Sequence, residues 1–318
     1  MHTATQPKPA MPSPSLSSLF YLIPLYFLVI APLLRQFFPA DPNSLYNDAS
    51  SSYNPDYDDE EIDTALTLNP DVLALEDDEP VTCDLGNDSY KVHIFSHAPL
   101  VVYIEGFLSE TEADYLVNLS LPLYTPSPLY SSAENKDTDT DPNTDTTKRL
   151  SDRALLPRTP AVKCIESRAR SFQGHKPHLY IERLWTQRYN ISGHYTHHYD
   201  WAGTAKGRGG DRLSTFMVYV DSKGLSGGGT NFLFLRRPRD ERWCGFLECE
   251  SESESEKAGE KKGGGVTFRP IKGNAIYWEN LRPDGSGYPE TWHASFPVLQ
   301  GEKVGMNIWS WYQPPRGF

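Results

Sequence analysis

An α+β fold dominated by a jelly-roll core is what this sequence predicts, on three observations. Helix signals come first along the chain and many short β-rich runs follow. Each β-rich run is bounded by Gly, Pro, Asn or Asp, as strands joined by hairpins are. The 12% aromatic content beside only 38% hydrophobic residues reads as a packed domain diluted by polar segments. At 318 residues the chain is long enough for a substantial core, and four Cys are too few to replace one with a disulfide scaffold. The formal charge of −12 argues against nucleic acid as the main partner and against docking on an anionic membrane surface.

Taken in order, the elements begin with LSSLFYLIPLYFLVIAPLL, an uncharged run from Leu16 to Leu34 that stops at Arg35. That is about the length a helix needs to cross a bilayer, where Pro24 and Pro32 are tolerated. A retained signal anchor, a cleaved signal peptide and a buried core helix all remain open, and the anchor is the expectation carried forward. Residues 1–40 are therefore read as an N-terminal tail and signal-anchor transmembrane helix. Residues 41–85, with DYDDEEID at 56–63, are read as a self-repelling acidic stalk. Residues 86–318 are the expected folded domain, with flexible polar loops near 130–150 and 250–265.

Within that domain, PLVVYIEGFLSETEADYLVNLS at 99–120 reads as a strand, a turn and a helix. Ser109 with Glu112 three residues on forms a capping box, which places the helix start. VKCIESRARSFQ at 162–173 suits a second amphipathic helix. The strand candidates are LYIERLWTQRY, STFMVYV, TNFLFL, VTFRPI, NAIYWEN and KVGMNIWSWYQ.

His198 and Asp200 lie two positions apart, so a strand turns both toward one face and toward one metal ion. An HxD triplet alone is weak, but His293 in ETWHASFPV supplies a third ligand on another strand. Two neutral imidazoles and one carboxylate on one face suit Fe(II) and leave coordination positions open. Zinc competes for the same ligands, although a hydrolytic zinc site also wants a general acid or base, and none stands out. His197 falls on the opposite strand face and is read as peripheral.

Several ordered motifs then carry a resemblance over about Leu100 to Trp311. They are FLSETEADYLVNL at 107–119, RYNISGHYTHHYDW at 188–201, GGDRLSTFMVYV at 209–220, GGGTNF at 227–232, KGNAIYWEN at 272–280 and HASFPVLQGEKVGMNIW at 293–309. Together they resemble the 2-oxoglutarate- and Fe(II)-dependent dioxygenases of the prolyl 4-hydroxylase α-subunit type. The resemblance implies a double-stranded β-helix, the jelly roll already expected, with N-terminal supporting helices. It implies iron ligands His198, Asp200 and His293, and Lys303 as the anchor for the distal carboxylate of 2-oxoglutarate. Tyr189 and Thr230 would add hydroxyls there, with core packing and turn formation as their alternative readings. Tyr195, Arg212 and Trp309 match positions that line a groove for a proline-bearing peptide, while Trp278 and Trp311 are read as core aromatics.

The implied reaction consumes O2 and 2-oxoglutarate, releases succinate and CO2 and hydroxylates proline in a peptide or protein, with L-ascorbate restoring the iron. The insertion around 236–265 keeps open the same chemistry on another side chain or a small molecule, and a non-catalytic binding module is the remaining alternative. The anchor and the family together imply a single-pass type II protein of the endoplasmic reticulum membrane with a luminal catalytic domain. In such a lumen Cys244 and Cys249 are close enough in sequence to pair, Cys83 and Cys164 pair or remain free, and Asn87, Asn118 and Asn190 are sequons; a cytosolic domain would leave all four cysteines as thiols. Oligomeric state is not legible in the sequence.

Overall fold

The alternation of apolar residues along the strands decides how the sheets lie. A computed structural model of the chain describes residues 68–75, 81–83, 89–128, 145–203, 209–249 and 264–314. The run at 16–34, the acidic tract at 56–63 and most of both polar loops lie outside the described residues. Among the described residues no helix is long and apolar enough to cross a membrane.

The strands, in chain order, are β1 (Lys91–His97), β2 (Leu100–Glu105), β3 (Thr125–Pro126), β4 (Arg149–Leu150), β5 (Asp152–Leu155), β6 (Leu179–Ile181), β7 (Trp185–Tyr189) and β8 (His194–His198). They continue with β9 (Asp211–Asp221), β10 (Ser226–Gly227), β11 (Thr230–Phe232), β12 (Val266–Phe268), β13 (Ala275–Glu279), β14 (His293–Ser295), β15 (Val298–Gln300) and β16 (Lys303–Tyr312). A nine-stranded sheet runs β1-β2-β13-β9-β16-β7-β5-β3, with β6 also paired to β16. A five-stranded sheet runs β12-β11-β14-β8-β4, and β10 pairs with β15. The domain is thus mostly β with few helices, as a jelly-roll core requires.

Two helices cover one face of the large sheet. The first, α1 (Glu110–Ser120), opens on the expected capping box: the Ser109 hydroxyl accepts from the Glu112 N–H and the Glu112 carboxylate accepts from the Ser109 N–H. The second, α2 (Pro160–Phe172), is capped by the Thr159 side chain and begins on a proline, whose missing N–H costs nothing there. Ala113 and Leu116 from α1 and Val162, Ile165 and Ala169 from α2 are buried against Phe216, Val218 and Val220 of β9 and Val304, Met306 and Ile308 of β16.

The intervening residues of the same strands point the other way. Val101 and Tyr103, Met217 and Tyr219, and Ile276 and Trp278 pack with Phe232 and Phe268 of the small sheet in a second core. This period-2 sorting places Thr215, Tyr219 and Lys303 on the inner side, between the sheets, where the site is built. Arg168 of α2 joins the helices to each other, pairing with Glu112 at 2.8 Å and donating to the Phe107 carbonyl.

Two features differ from the sequence reading in detail, and a third was left open by it. Leu73 and Ala74, inside the 41–85 span read as stalk, are buried; Leu73 bridges Glu182 and the Ala74 N–H donates to the Ile181 carbonyl. The packed chain therefore begins before residue 86, within a compact unit spanning Leu66–Phe318. LYIERLWTQRY divides into β6 and β7, because the Glu182 N–H turns to the Trp309 carbonyl between them. Both cysteine pairs form disulfides, Cys83–Cys164 and Cys244–Cys249. The second fixes the described flank of the 236–265 insertion, where Trp243 and Phe246 pack on Phe95, His93 and Tyr103.

Candidate metal and oxoacid site

Strand pairing brings the three proposed ligands together. β8 and β14 run antiparallel with His198 directly opposite His293, and Asp200 follows β8 by two residues. The ligand atoms of His198, Asp200 and His293 all lie within 4.8 Å of one another. The Nδ1 of His198 is 2.9 Å from the Thr196 carbonyl, and that of His293 is 2.9 Å from the Thr291 carbonyl. A carbonyl only accepts, so both rings carry a proton on Nδ1, which leaves Nε2 as the nitrogen that can turn to a metal. Those two Nε2 atoms face the Asp200 carboxylate, at 3.7 Å from Oδ1 and 3.8 Å from Oδ2.

The electrostatics keep His198 and Asp200 in the form a metal needs. Burial, helped by the neighbouring His293, pushes the His198 imidazole down to about 3. Burial opposes ionisation of Asp200, but the two imidazoles, Arg212 and the Thr215 hydroxyl together hold its carboxyl below the usual range. At neutral pH the set is one ionised carboxylate and a neutral His198, the donor chemistry of a two-His, one-carboxylate iron site. The residues present therefore fit a divalent metal. His197 is excluded from this set: its Nε2 pairs with Asn231 Oδ1 at 2.9 Å.

Lys303 opens β16 opposite Tyr189 of β7. Its side chain is fully buried, donates to the Gly228 carbonyl at 2.7 Å and to the Ser295 hydroxyl at 2.9 Å, and lies over the rings of Tyr189 and Tyr219. Among the described residues no carboxylate pairs with it, and burial pushes the ammonium down to about 7. Gly228 holds φ at +70, a conformation suited to glycine that turns its carbonyl toward the amine. Thr230 is on the same wall, accepting from the Tyr219 hydroxyl at 2.9 Å. Burial raises the hydroxyls of Tyr189 and Tyr219, so both stay neutral donors.

The proposed groove residues also cluster. Tyr195 stacks on His198 at 3.7 Å between ring centroids, and the Arg212 guanidinium lies 3.7 Å above the Trp309 ring. Arg212 is not an idle cation: it forms a two-point pair with Glu182 at 2.6 and 2.8 Å, which outweighs its burial and raises its pKa. Its charge is thereby spent within the protein, and its flat face is what it offers.

Arg149 and Trp278 are among the contributors that the sequence reading did not place at the site. Arg149 on β4 lies 4.6 Å over Tyr195, held by its Nε donating to Ser151. It is remote in sequence, and only the Arg149–Tyr195 register of β4 with β8 places it there. Trp278, read as a core aromatic, stands edge-on to His293 at 4.9 Å and so touches a ligand as well as the core.

Comparison with known proteins agrees with this arrangement. Residues 184–311 match the model of the 2OG-Fe(II) oxygenase superfamily. The chain is 27% identical over 221 residues to the mouse (Mus musculus) prolyl 4-hydroxylase subunit alpha-3, covering 66% of this chain and 33% of that one. It is 27% identical over 225 residues to Arabidopsis thaliana prolyl 4-hydroxylase 2, covering 69% of each. It thus spans about a third of the animal subunits it matches. Among solved structures it is similar to the viral collagen prolyl hydroxylase of Paramecium Bursaria Chlorella virus-1 in its 2OG complex, with a TM-score of 0.45, 25% identity and coverage of 67% and 96% of the two chains. The matched span runs from just before β7 almost to the end of β16 and contains all three ligand residues and Lys303, so over this span the chain is similar to the 2OG-Fe(II) oxygenase superfamily, and the relatives it resembles are prolyl 4-hydroxylases.

Proposed function

We propose that the domain is a 2-oxoglutarate- and Fe(II)-dependent dioxygenase that hydroxylates proline residues in a peptide or protein. The observation that carries this reading is a two-histidine, one-carboxylate triad tied through Ser295, two residues from His293 on β14, to a buried lysine with no carboxylate partner among the described residues. A buried ammonium is costly alone and calls for an anion of matching charge. Fe(II), loaded with 2-oxoglutarate and O2, would supply oxidising power to replace a C–H hydrogen with hydroxyl, with release of succinate and CO2.

The chain's own residues do the positioning. His198, Asp200 and His293 would hold the iron, their orientation set by the carbonyls of Thr196 and Thr291 and by the Thr215 hydroxyl. Lys303, with Tyr189 and Thr230, would bind the distal carboxylate of 2-oxoglutarate. The stacked Arg212–Trp309 pair presents a flat face on which a pyrrolidine ring packs well, and Tyr195, covered by His198 and Arg149, would contribute its ring edge. L-ascorbate as the reductant that rescues the iron belongs to the same proposal, as does the double-stranded β-helix description with α1 and α2 as its supporting helices.

The test is incubation of the purified protein with Fe(II), 2-oxoglutarate and a panel of proline-rich peptides. The expected result is a mass gain of one oxygen located on proline. Succinate formation driven by some other acceptor, with every peptide unmodified, would sink the proline assignment while leaving the dioxygenase chemistry standing.

The same proposal extends to location. The run at 16–34 is the candidate anchor of a type II endoplasmic reticulum membrane protein, with the acidic segment behind it as spacer. Two disulfides support an oxidising compartment for the folded domain. Protease protection in microsomes, lost on adding detergent, is the expected outcome; digestion of the domain in intact microsomes refutes it.

A further inference from the structure

We propose that Trp278, Asn280 and Thr215 form a one-way hydrogen-bond relay that positions the Asp200 carboxylate, engaging Oδ2 and leaving Oδ1 for the metal; this rests on reading the triad as a metal site. The direction of the relay follows from the donors. An indole N–H can only donate, and that of Trp278 meets Asn280 Oδ1 at 2.8 Å. The amide is thereby oriented, and its Nδ2 donates to Thr215 Oγ1 at 2.9 Å. Having accepted there, the Thr215 hydroxyl directs its proton to Asp200 Oδ2, also at 2.9 Å. Each bond polarises the next in the same sense, and bulk solvent does not reach Thr215, Asn280 or Trp278.

The relay is anchored at each member. Thr215 and Trp278 are register partners on β9 and β13. The backbone of Asn280 is fixed on both sides, its N–H donating to the Leu213 carbonyl and its carbonyl accepting from Tyr288. Trp278 also stands edge-on to His293, so one side chain supports two ligands by different means. A carboxylate oxygen that already accepts a strong hydrogen bond is the poorer metal donor, which selects the other oxygen and favours binding through one atom. Thr215, Asn280 and Trp278 are positioning residues: none needs to touch substrate.

The experiment measures Co(II) binding to the purified full chain, without substrates, by titration calorimetry and by the visible absorption of the bound ion. Thr215→Val keeps the shape and removes the donor; Thr215→Ser restores the hydroxyl. Thr215→Val is expected to weaken Co(II) binding by about 10–100-fold and alter the absorption band, with Thr215→Ser within about threefold of wild type. Trp278→Phe, which keeps a ring beside His293 but loses the N–H, is expected to fall between them, and it carries the test if Thr215→Val does not fold. Unchanged affinity in Thr215→Val or, should that variant not fold, in Trp278→Phe overturns the relay. A Thr215→Ser variant as weak as Thr215→Val overturns it equally. Failure of the wild type to bind more Co(II) than His198→Ala would instead remove the metal reading on which the relay stands.

Discussion

Replacing Lys303 with Met should remove a pH dependence from the stability of the protein free of its cosubstrate. Lys303 is fully buried, and its ammonium is pushed from 10.5 down to about 7 by that burial. Between those two values the unfolded chain holds a proton that the folded chain does not, so stability rises with pH across this window. The lysine imposes no charging cost above about pH 10.5. Its full cost of about 5 kcal/mol is reached below pH 7, since each tenfold loss of proton affinity is worth ~1.4 kcal/mol. Urea unfolding of wild type and Lys303→Met at pH 7.5 and 9.5 isolates the effect, because other groups cancel in the difference. The wild type should gain roughly 2 to 3 kcal/mol relative to the variant between those two pH values. A difference that is flat with pH, or that moves the other way, would refute the picture of an unpaired buried amine. Saturating 2-oxoglutarate should abolish the gain by returning the charge to the lysine, with proton uptake near pH 8 seen as a buffer-dependent heat of binding.

Three further outcomes follow from other parts of the molecule. The Cys83–Cys164 disulfide spans 81 residues and Cys244–Cys249 only 5, so loop-closure entropy predicts losses of about 4.5 and about 2 kcal/mol for Cys83→Ser and Cys244→Ser in denaturant unfolding. Arg168→Leu strands the half-buried Glu112 carboxylate and should cost about 3 kcal/mol, read from the urea midpoint, while the Ser109 cap survives. Arg212→Met should be clearly less stable than wild type because Glu182 is left buried, and the double replacement with Glu182→Met should recover part of the loss; a double variant no better than the single one contradicts the pairing.

Local chemistry makes much of this molecule legible from its residues. The capping box at Ser109 places the start of α1 because its two bonds lie within four residues. HxD is likewise local: the spacing of two keeps His198, the last residue of β8, and Asp200, just beyond it, within reach of one point. His293 and Lys303 are reachable through the resemblance, and the structure shows why they belong together, since Ser295 on β14 accepts from Lys303. What stays hidden depends on register between distant strands. Arg149 meets Tyr195 only through the β4–β8 pairing, and Thr215 meets Asn280 only through the β9–β13 pairing. Arg212 shows a different limit: its place beside Trp309 follows from the motif, but its pairing with Glu182 comes from β6 ending where it does. The boundary of the stalk differs for a similar reason, because Leu73 is buried by a bridge to Glu182, a residue far away in the chain.

In the proposed function His198, Asp200 and His293 hold an iron that couples 2-oxoglutarate consumption to hydroxylation of a peptide proline. The most direct measurement follows succinate and hydroxyproline together, in one reaction, for wild type and His198→Ala. Equal amounts of the two products are expected, strictly dependent on added Fe(II), with neither product above background in the variant. Equal turnover by wild type and His198→Ala would contradict it.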